Sequence, residues 1–310
     1  MPNNAQNQVI DPILSKVALG YRHPEHVGST LFPVVPVNSS GGKIIQFDKS
    51  SFRLFNTKRA PGAKAKRASF GHEGAPYALE NHALDAVVPR ERMRDASVVP
   101  GINLATRAVN LVLKSSSLVL ENAQASIATN LANYGANNQV TLAGTDQWND
   151  YANSTPFQDV EEGKEAVRSR IGVYPNTMEI SAKVYKHLKQ HPAVIDRTKY
   201  TSSESITPEI LAGLFDVEKV VIGKAIAFAD DDTTIDIWGR DVVLTYSPQN
   251  ATGAEEPSFG YTYQMEGHPM VEVPYWDQDA RSWVYGMTHE RDAVLTGMDA
   301  GFIIKNAVAA

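Results

Sequence analysis

The sequence predicts an α+β protein. Three observations carry this reading: one long helical pattern from about residue 103, helical patterns grouped before residue 216 with strand patterns after Lys219, and no regular βαβ alternation or internal repeat. With 310 residues, and roughly 150 per domain, the chain allows about two domains. Its 43% apolar and 21% charged residues are near the averages for folded globular chains and argue against wholesale disorder.

Residues 1–40 carry few charges and several prolines and glycines. Their apolar clusters are short (Ile13-Leu14, Leu31-Phe32-Pro33-Val34-Val35), which suits an extended arm lying on a neighbouring molecule better than a domain. From Gly41 to Val88, strand-like pieces at Lys43–Phe47, Ser51–Phe55 and Tyr77–Leu79 flank the polar stretch NTKRAPGAKAKRA. We read this as a two-stranded ribbon with a basic tip, too small to be stable alone.

After Pro100-Gly101 comes the strongest helical signal. Arg107, Asn110, Lys114, Ser117, Glu121 and Gln124 recur every three or four residues as one polar stripe, with Leu111, Val112, Leu113, Leu118, Val119 and Leu120 filling the rest. A helix from Asn103 to Tyr134, stopped by Gly135, spans on the order of 45 Å and forms a spine. A second helix is expected over Pro156–Arg170, capped by Thr155, with acids early and arginines late as the helix dipole favours. Shorter helices are expected at Ser181–Gln190 and, capped by Thr207, at Pro208–Phe215. Strands are expected at Val220–Ile222, Thr234–Trp238 and Asp241–Tyr246. Period-two patterns mark two more, through Phe259, Tyr261, Tyr263 and Met265 and through Val271, Val273 and Tyr275.

The net charge of −6 is unevenly placed. Lys43 to Arg67 holds eight basic residues against Asp48 alone, a balance of +7, whereas Thr201 to Ala310 holds six basic residues and eighteen acids, a balance of −12. Such a split suits head-to-tail contact between copies through the basic tip Lys58, Arg59, Lys64, Lys66 and Arg67, although a solvated loop has the same composition. A nucleic-acid role for this tip is non-specific at most, because Phe55 and Phe70 flank the basic residues rather than interleave with them.

Chemistry is poorly supplied. The chain has no cysteine, which removes disulfides, thiolate metal sites and thiol nucleophiles. His23 and His26 lack a third ligand, and His187 and His191 lack the glutamate of the HExxH pattern. Asp230, Asp231 and Asp232 lack the alternation and glycine of a calcium loop. No nucleophile elbow, phosphate loop or dinucleotide fingerprint occurs, so the expectation is no enzyme activity and no cofactor. No window approaches 18 apolar residues and no secretion signal opens the chain, so a soluble, intracellular product with no membrane partner is expected.

The order of arm, basic hairpin, spine helix, mixed body and closing strands resembles the major capsid protein of tailed bacteriophages, a fold shared with encapsulin shells and the herpesvirus capsid floor. DPILSKVALGYRHPEHVGSTLFPVVPV with the GGKIIQFDKSSFRL hairpin resembles the opening of such proteins, as does PNTMEISAKVYKHLKQHPAVIDRTKY followed by ITPEILAGLFDVEKVVIGKAI. The resemblance implies an N-terminal arm over 1–40 and an extended loop over 41–88. It implies a peripheral domain over 89–154 and 266–310, and an axial domain over 155–265. It also implies hexamers and pentamers closing into an icosahedral virion shell around double-stranded DNA, assembled in the host cytoplasm, with portal and decoration proteins as partners. Only ten uncharged residues precede Asp11, so the scaffolding expected is a separate protein. Some members cross-link a loop lysine to an asparagine; Lys58, Lys64 and Lys66 are the lysines of this tip, without a partner asparagine that maps. An encapsulin-like shell around enzyme cargo, a metal-dependent hydrolase using the histidine pairs and a DNA-binding module are the alternatives.

Overall fold

The computed structural model describes residues 11, 15, 18, 23–43, 58, 76–97, 103–198, 205–228, 233–248 and 258–309. In chain order the elements are α1 (Gly28–Leu31), β1 (Val34–Val37), β2 (Gly41–Lys43), β3 (Pro76–Ala78), β4 (Glu80–Pro89), α2 (Arg90–Ser97) and α3 (Leu104–Ala128). They continue with β5 (Gln139–Thr141), α4 (Pro156–Ile171), β6 (Thr177–Ser181), α5 (Ala182–Leu188), α6 (Pro192–Thr198), α7 (Pro208–Phe215), β7 (Lys219–Gly223), β8 (Ile226–Phe228), β9 (Thr234–Asp236) and β10 (Val242–Thr245). The last strands are β11 (Gly260–Met265), β12 (Met270–Val271), β13 (Tyr275–Asp277), β14 (Ser282–Leu295) and β15 (Gly301–Lys305).

Two sheets organise the chain. In the six-stranded sheet, β14 pairs along ten residues with β4 on one edge, and with β13, β12 and β11 in succession on the other, while β1 adds parallel to β11. The five-stranded sheet runs β5-β15-β10-β6-β7. Its two central strands, β6 and β10, are buried at every position, so they read as unbroken runs rather than as alternating ones. Helices α4, α5 and α7 cover this sheet, and the largest core runs from Trp148 and Val160 through Met178, Ile180 and Leu244 to Ile304. A second core lies where α3 crosses β4 and β14 and joins Val109, Val112 and Leu113 to Ala86, Val88, Tyr285 and Met287.

Several ends differ from expectation for local reasons. The spine helix α3 stops at Ala128 rather than Tyr134: the Thr129 hydroxyl donates back to Ala125 O at 2.8 Å, and the Asn130 side chain accepts from Ala132 N to start a 3-10 turn. Asn103 caps its start, accepting from Thr106 N at 3.1 Å, and 25 residues span about 37 Å. Thr155 makes no capping bond to α4, whereas Gly172, at φ 74°, closes that helix in the left-handed conformation glycine tolerates. Thr207 does cap α7.

Pairing joins parts of the chain far apart in sequence. β4 (Glu80–Pro89) and β11 (Gly260–Met265) both lie in the sheet of β14, and β15 (Gly301–Lys305) lies between β5 and β10. The described part of the expected hairpin is β2 against β3; residues 44–47 and 51–55 of the expected strands lie outside the described residues. The pattern Val271, Val273, Tyr275 is two short strands rather than one, separated by Glu272 to Pro274. Among the described residues no helix is long and apolar enough to cross a membrane.

Candidate assembly surfaces and the anchored N-terminal segment

The polar stripe of the spine helix does not all face solvent. Leu111 is 60% exposed, whereas Glu121 and Gln124 are 2% and 1% exposed. Glu121 is sunk because it has work for every lone pair that matters: one oxygen accepts from Gly28 N at 2.9 Å, and the other accepts from Val27 N at 2.9 Å and from Trp238 Nε1 at 2.8 Å. Burial nevertheless outweighs these bonds and pushes its carboxyl above the usual range. Gln124 Nε2 donates to Thr262 Oγ1 at 2.8 Å, and Thr262 Oγ1 donates in turn to Phe32 O at 3.2 Å. Gly28 lies so close to this pair that a Cβ would overlap the Gln124 side-chain oxygen and come within 2.9 Å of Glu121 Oε2.

Segment 23–37 is thereby held by its own subunit. Leu31 and Phe32 are fully buried, Ser247 Oγ donates to Leu31 O at 2.8 Å, and β1 completes the six-stranded sheet. Farther upstream, Asp11 N donates to Val271 O at 3.0 Å, Val271 N donates to Ser15 Oγ at 3.0 Å, and Ala18 is buried in the second core. The apolar LF pair and the parallel strand β1, expected in an arm lying on a neighbour, thus find partners within their own chain.

The histidines serve local structure. His23 and His26 stack at 4.2 Å, and His26 Nδ1 lies 2.7 Å from Ser117 Oγ. Burial first, then the charges of His23 and Lys114, lower the His26 pKa to about 4. His187 Nδ1 lies 3.0 Å from the Tyr151 hydroxyl, and His191 Nε2 lies 3.0 Å from Ser154 Oγ, so both rings fasten the 150–154 turn to α5 and its exit. No group of three His, Cys, Asp or Glu residues arranged to hold a metal occurs among the described residues.

Of the basic tip, Lys58 is exposed; Arg59, Lys64, Lys66 and Arg67 lie outside the described residues, as do Asp230, Asp231 and Asp232. The described surface adds candidates that charge alone does not reveal. Ribbon β8–β9 holds out Ile226, Phe228 and Ile235, with Phe228 69% exposed, and α3 presents Leu111 and Val119 outward. Val87 and Tyr275 are exposed on the strands flanking β14. Scattered apolar residues are ordinary on a surface, but a two-stranded ribbon with three of them buries too little by itself to be stable.

Comparison with known proteins places this geometry. The family model described as phage major capsid protein E matches residues 121–291. The major capsid protein of Burkholderia phage BcepMu is 35% identical over 302 residues, covering 96% of each chain. A crystal structure of a phage-related protein from Bordetella bronchiseptica RB50 is 48% identical, with a TM-score of 0.84 over 98% of this chain and 99% of that one. The mature capsid of bacteriophage PhiM1 is similar in fold alone, with 14% identity and a TM-score of 0.57 over 92% and 88% of the two chains. The chain therefore belongs to the phage major capsid protein E family, and it is a structural protein of the virion capsid rather than an enzyme.

Proposed function

We propose that copies of this chain assemble as hexamers and pentamers into an icosahedral shell that encloses double-stranded phage DNA. The observation that carries this reading is the base of the ribbon, β2 against β3, whose strands flank in sequence the +7 run from Lys43 to Arg67. A two-stranded ribbon needs an outside support. The −12 balance of residues 201–310 on a neighbouring copy supplies one of opposite sign.

In this reading Lys58, Arg59, Lys64, Lys66 and Arg67 make the inter-subunit contact. Residues 1–40 form the arm and 41–88 the extended loop, 89–154 with 266–310 the peripheral domain, and 155–265 the axial domain. A separate scaffolding protein and a portal protein are the partners, and packaged DNA is contacted without sequence preference. Electron microscopy of the purified protein, alone and with any scaffold, at low and high salt, tests the proposal. Closed icosahedral particles are expected, and a discrete monomer or dimer under all conditions overturns it. Enzyme rather than DNA inside native particles would turn the reading to an encapsulin-like compartment.

A further inference from the structure

A cavity of about 450 Å³ lies between α3, β14 and segment 23–29, and nothing in the capsid role accounts for the groups at its base. Arg291 projects there from β14 and is 3% exposed. Its NH2 group donates to Ser116 O at 2.6 Å and its NH1 group to His289 Nδ1 at 3.1 Å. No carboxylate of the described residues forms an ion pair with it, and burial alone lowers its pKa to about 10. A buried cation is normally paired, because leaving water is costly for a lone charge.

The neighbouring side chains add donors rather than an acid. A guanidinium can only donate, so His289 Nδ1 accepts and the ring hydrogen sits on Nε2. That Nε2 is buried without a partner, and so is the Ser116 hydroxyl oxygen. Ser116, His289 and Arg291 all line the cavity and are linked to one another through Arg291. The acid that reaches the cavity wall, Glu121, has its oxygens committed to Val27 N, Gly28 N and Trp238 Nε1. Exposed Pro24 and Ser29 and half-buried His23 and His26 also line the cavity.

We propose that this cavity binds a small inorganic oxyanion of the phosphate or sulfate class, held by Arg291 with the Ser116 hydroxyl and His289 Nε2–H as further donors. A charge-assisted set of this kind is what such anions bind best. Occupancy ties α3 to β14 at one point, beside the anchored N-terminal segment. The proposal stands apart from shell geometry and is testable on unassembled protein.

The full chain is melted while inorganic phosphate is titrated at fixed ionic strength. A saturable rise in Tm is expected for the native chain, distinct from the linear rise that any excluded salt gives. Arg291→Gln is expected to abolish the saturable part. Because that variant risks misfolding, Ser116→Ala and His289→Phe carry the test as well, each weakening phosphate binding about tenfold. No saturable response in the native chain, or an equal response in Ser116→Ala and His289→Phe, overturns the proposal. So does a Tm that rises with protein concentration but not with phosphate, since a carboxylate from a second copy would then occupy the place.

Discussion

Trp238 and Glu121 stand 117 positions apart and meet through a hydrogen bond of 2.8 Å from the indole Nε1 to the carboxylate. Glu121 belongs to the spine helix, and Trp238 follows the β8–β9 ribbon toward the five-stranded sheet. The same carboxylate takes the amides of Val27 and Gly28. One side chain thus joins the spine, the sheet body and the N-terminal segment.

Replacing Glu121 with leucine leaves two backbone N–H groups and the indole N–H without an acceptor. At about 1–3 kcal/mol for each buried unsatisfied donor, and with relaxation of the segment, a loss of about 3 kcal/mol is expected. Chemical denaturation measures it. Hydrogen exchange at the Val27 and Gly28 amides is expected to accelerate more than in the core strand β10.

Gly28→Ala tests the close approach at the same place. The added methyl meets the Gln124 side chain, and a destabilisation of about 1–3 kcal/mol is expected. In a double-mutant cycle, Gln124→Ala is expected to relieve part of that loss and give a coupling of at least about 0.5 kcal/mol. Additive effects would show that the methyl is accommodated elsewhere.

Glu179 on β6 is fully buried, and beyond the nearby Gly223 N–H its carboxyl oxygens find no donor among the described residues. Burial, with the nearby Asp241 and Glu121, raises its pKa well above the usual value of 4.5. The unfolded chain releases this proton near pH 4.5, whereas the folded chain keeps it. The folded state therefore loses stability on this account as pH climbs from 4.5 toward the raised folded value. Glu179→Met is expected to remove that decline and to stabilise the protein at pH 7 by about 1–3 kcal/mol. Urea melts of both chains from pH 4 to pH 8 decide it, and parallel pH profiles would mean that Glu179 is ionised in the fold.

Two surface changes separate assembly from folding. Phe228→Ser on the exposed ribbon, and Lys64, Lys66 and Arg67 reversed to Glu, are expected to leave monomer stability within about 0.5 kcal/mol while lowering particle yield. Sedimentation reads the yield. Normal particles from the charge-reversed chain would remove the electrostatic contact from the proposed function.

Local chemistry made much of the fold legible. Pro156 and Gly172 bracket α4, Thr207 starts α7, and apolar spacing along residues 104–128 marks the spine, because caps and periodicity act over one or two turns. The sequence reading does not single out β14, the strand that organises the six-stranded sheet. Tyr285, Met287, His289 and Arg291 share one of its faces, and a polar end to an apolar alternation resembles surface until α3 is laid over it. Strand β6 was missed for the opposite reason: Thr177 to Ser181 is buried throughout and does not alternate. His289 and Arg291 carried no signal as a pair, since a two-residue spacing is common and the partner that Arg291 meets on α3, Ser116, is 175 positions away.

By itself the sequence determined the α+β class, the spine, the basic tip and the acidic C-terminal third, and the likeness to phage capsid proteins, all of which follow from composition, periodicity and word order along the chain. The tertiary structure decided which polar residues go inside. Glu121, Gln124, Glu179 and Arg291 are ordinary surface types, and whether each is buried depends on what a remote segment brings to its oxygens and nitrogens. Gly28 and Trp238 satisfy Glu121, only the Gly223 N–H approaches Glu179 among the described residues, and Arg291 keeps donors to spare. Hydrogen-bond partners more than a hundred residues away are set by sheet pairing, which local sequence does not encode.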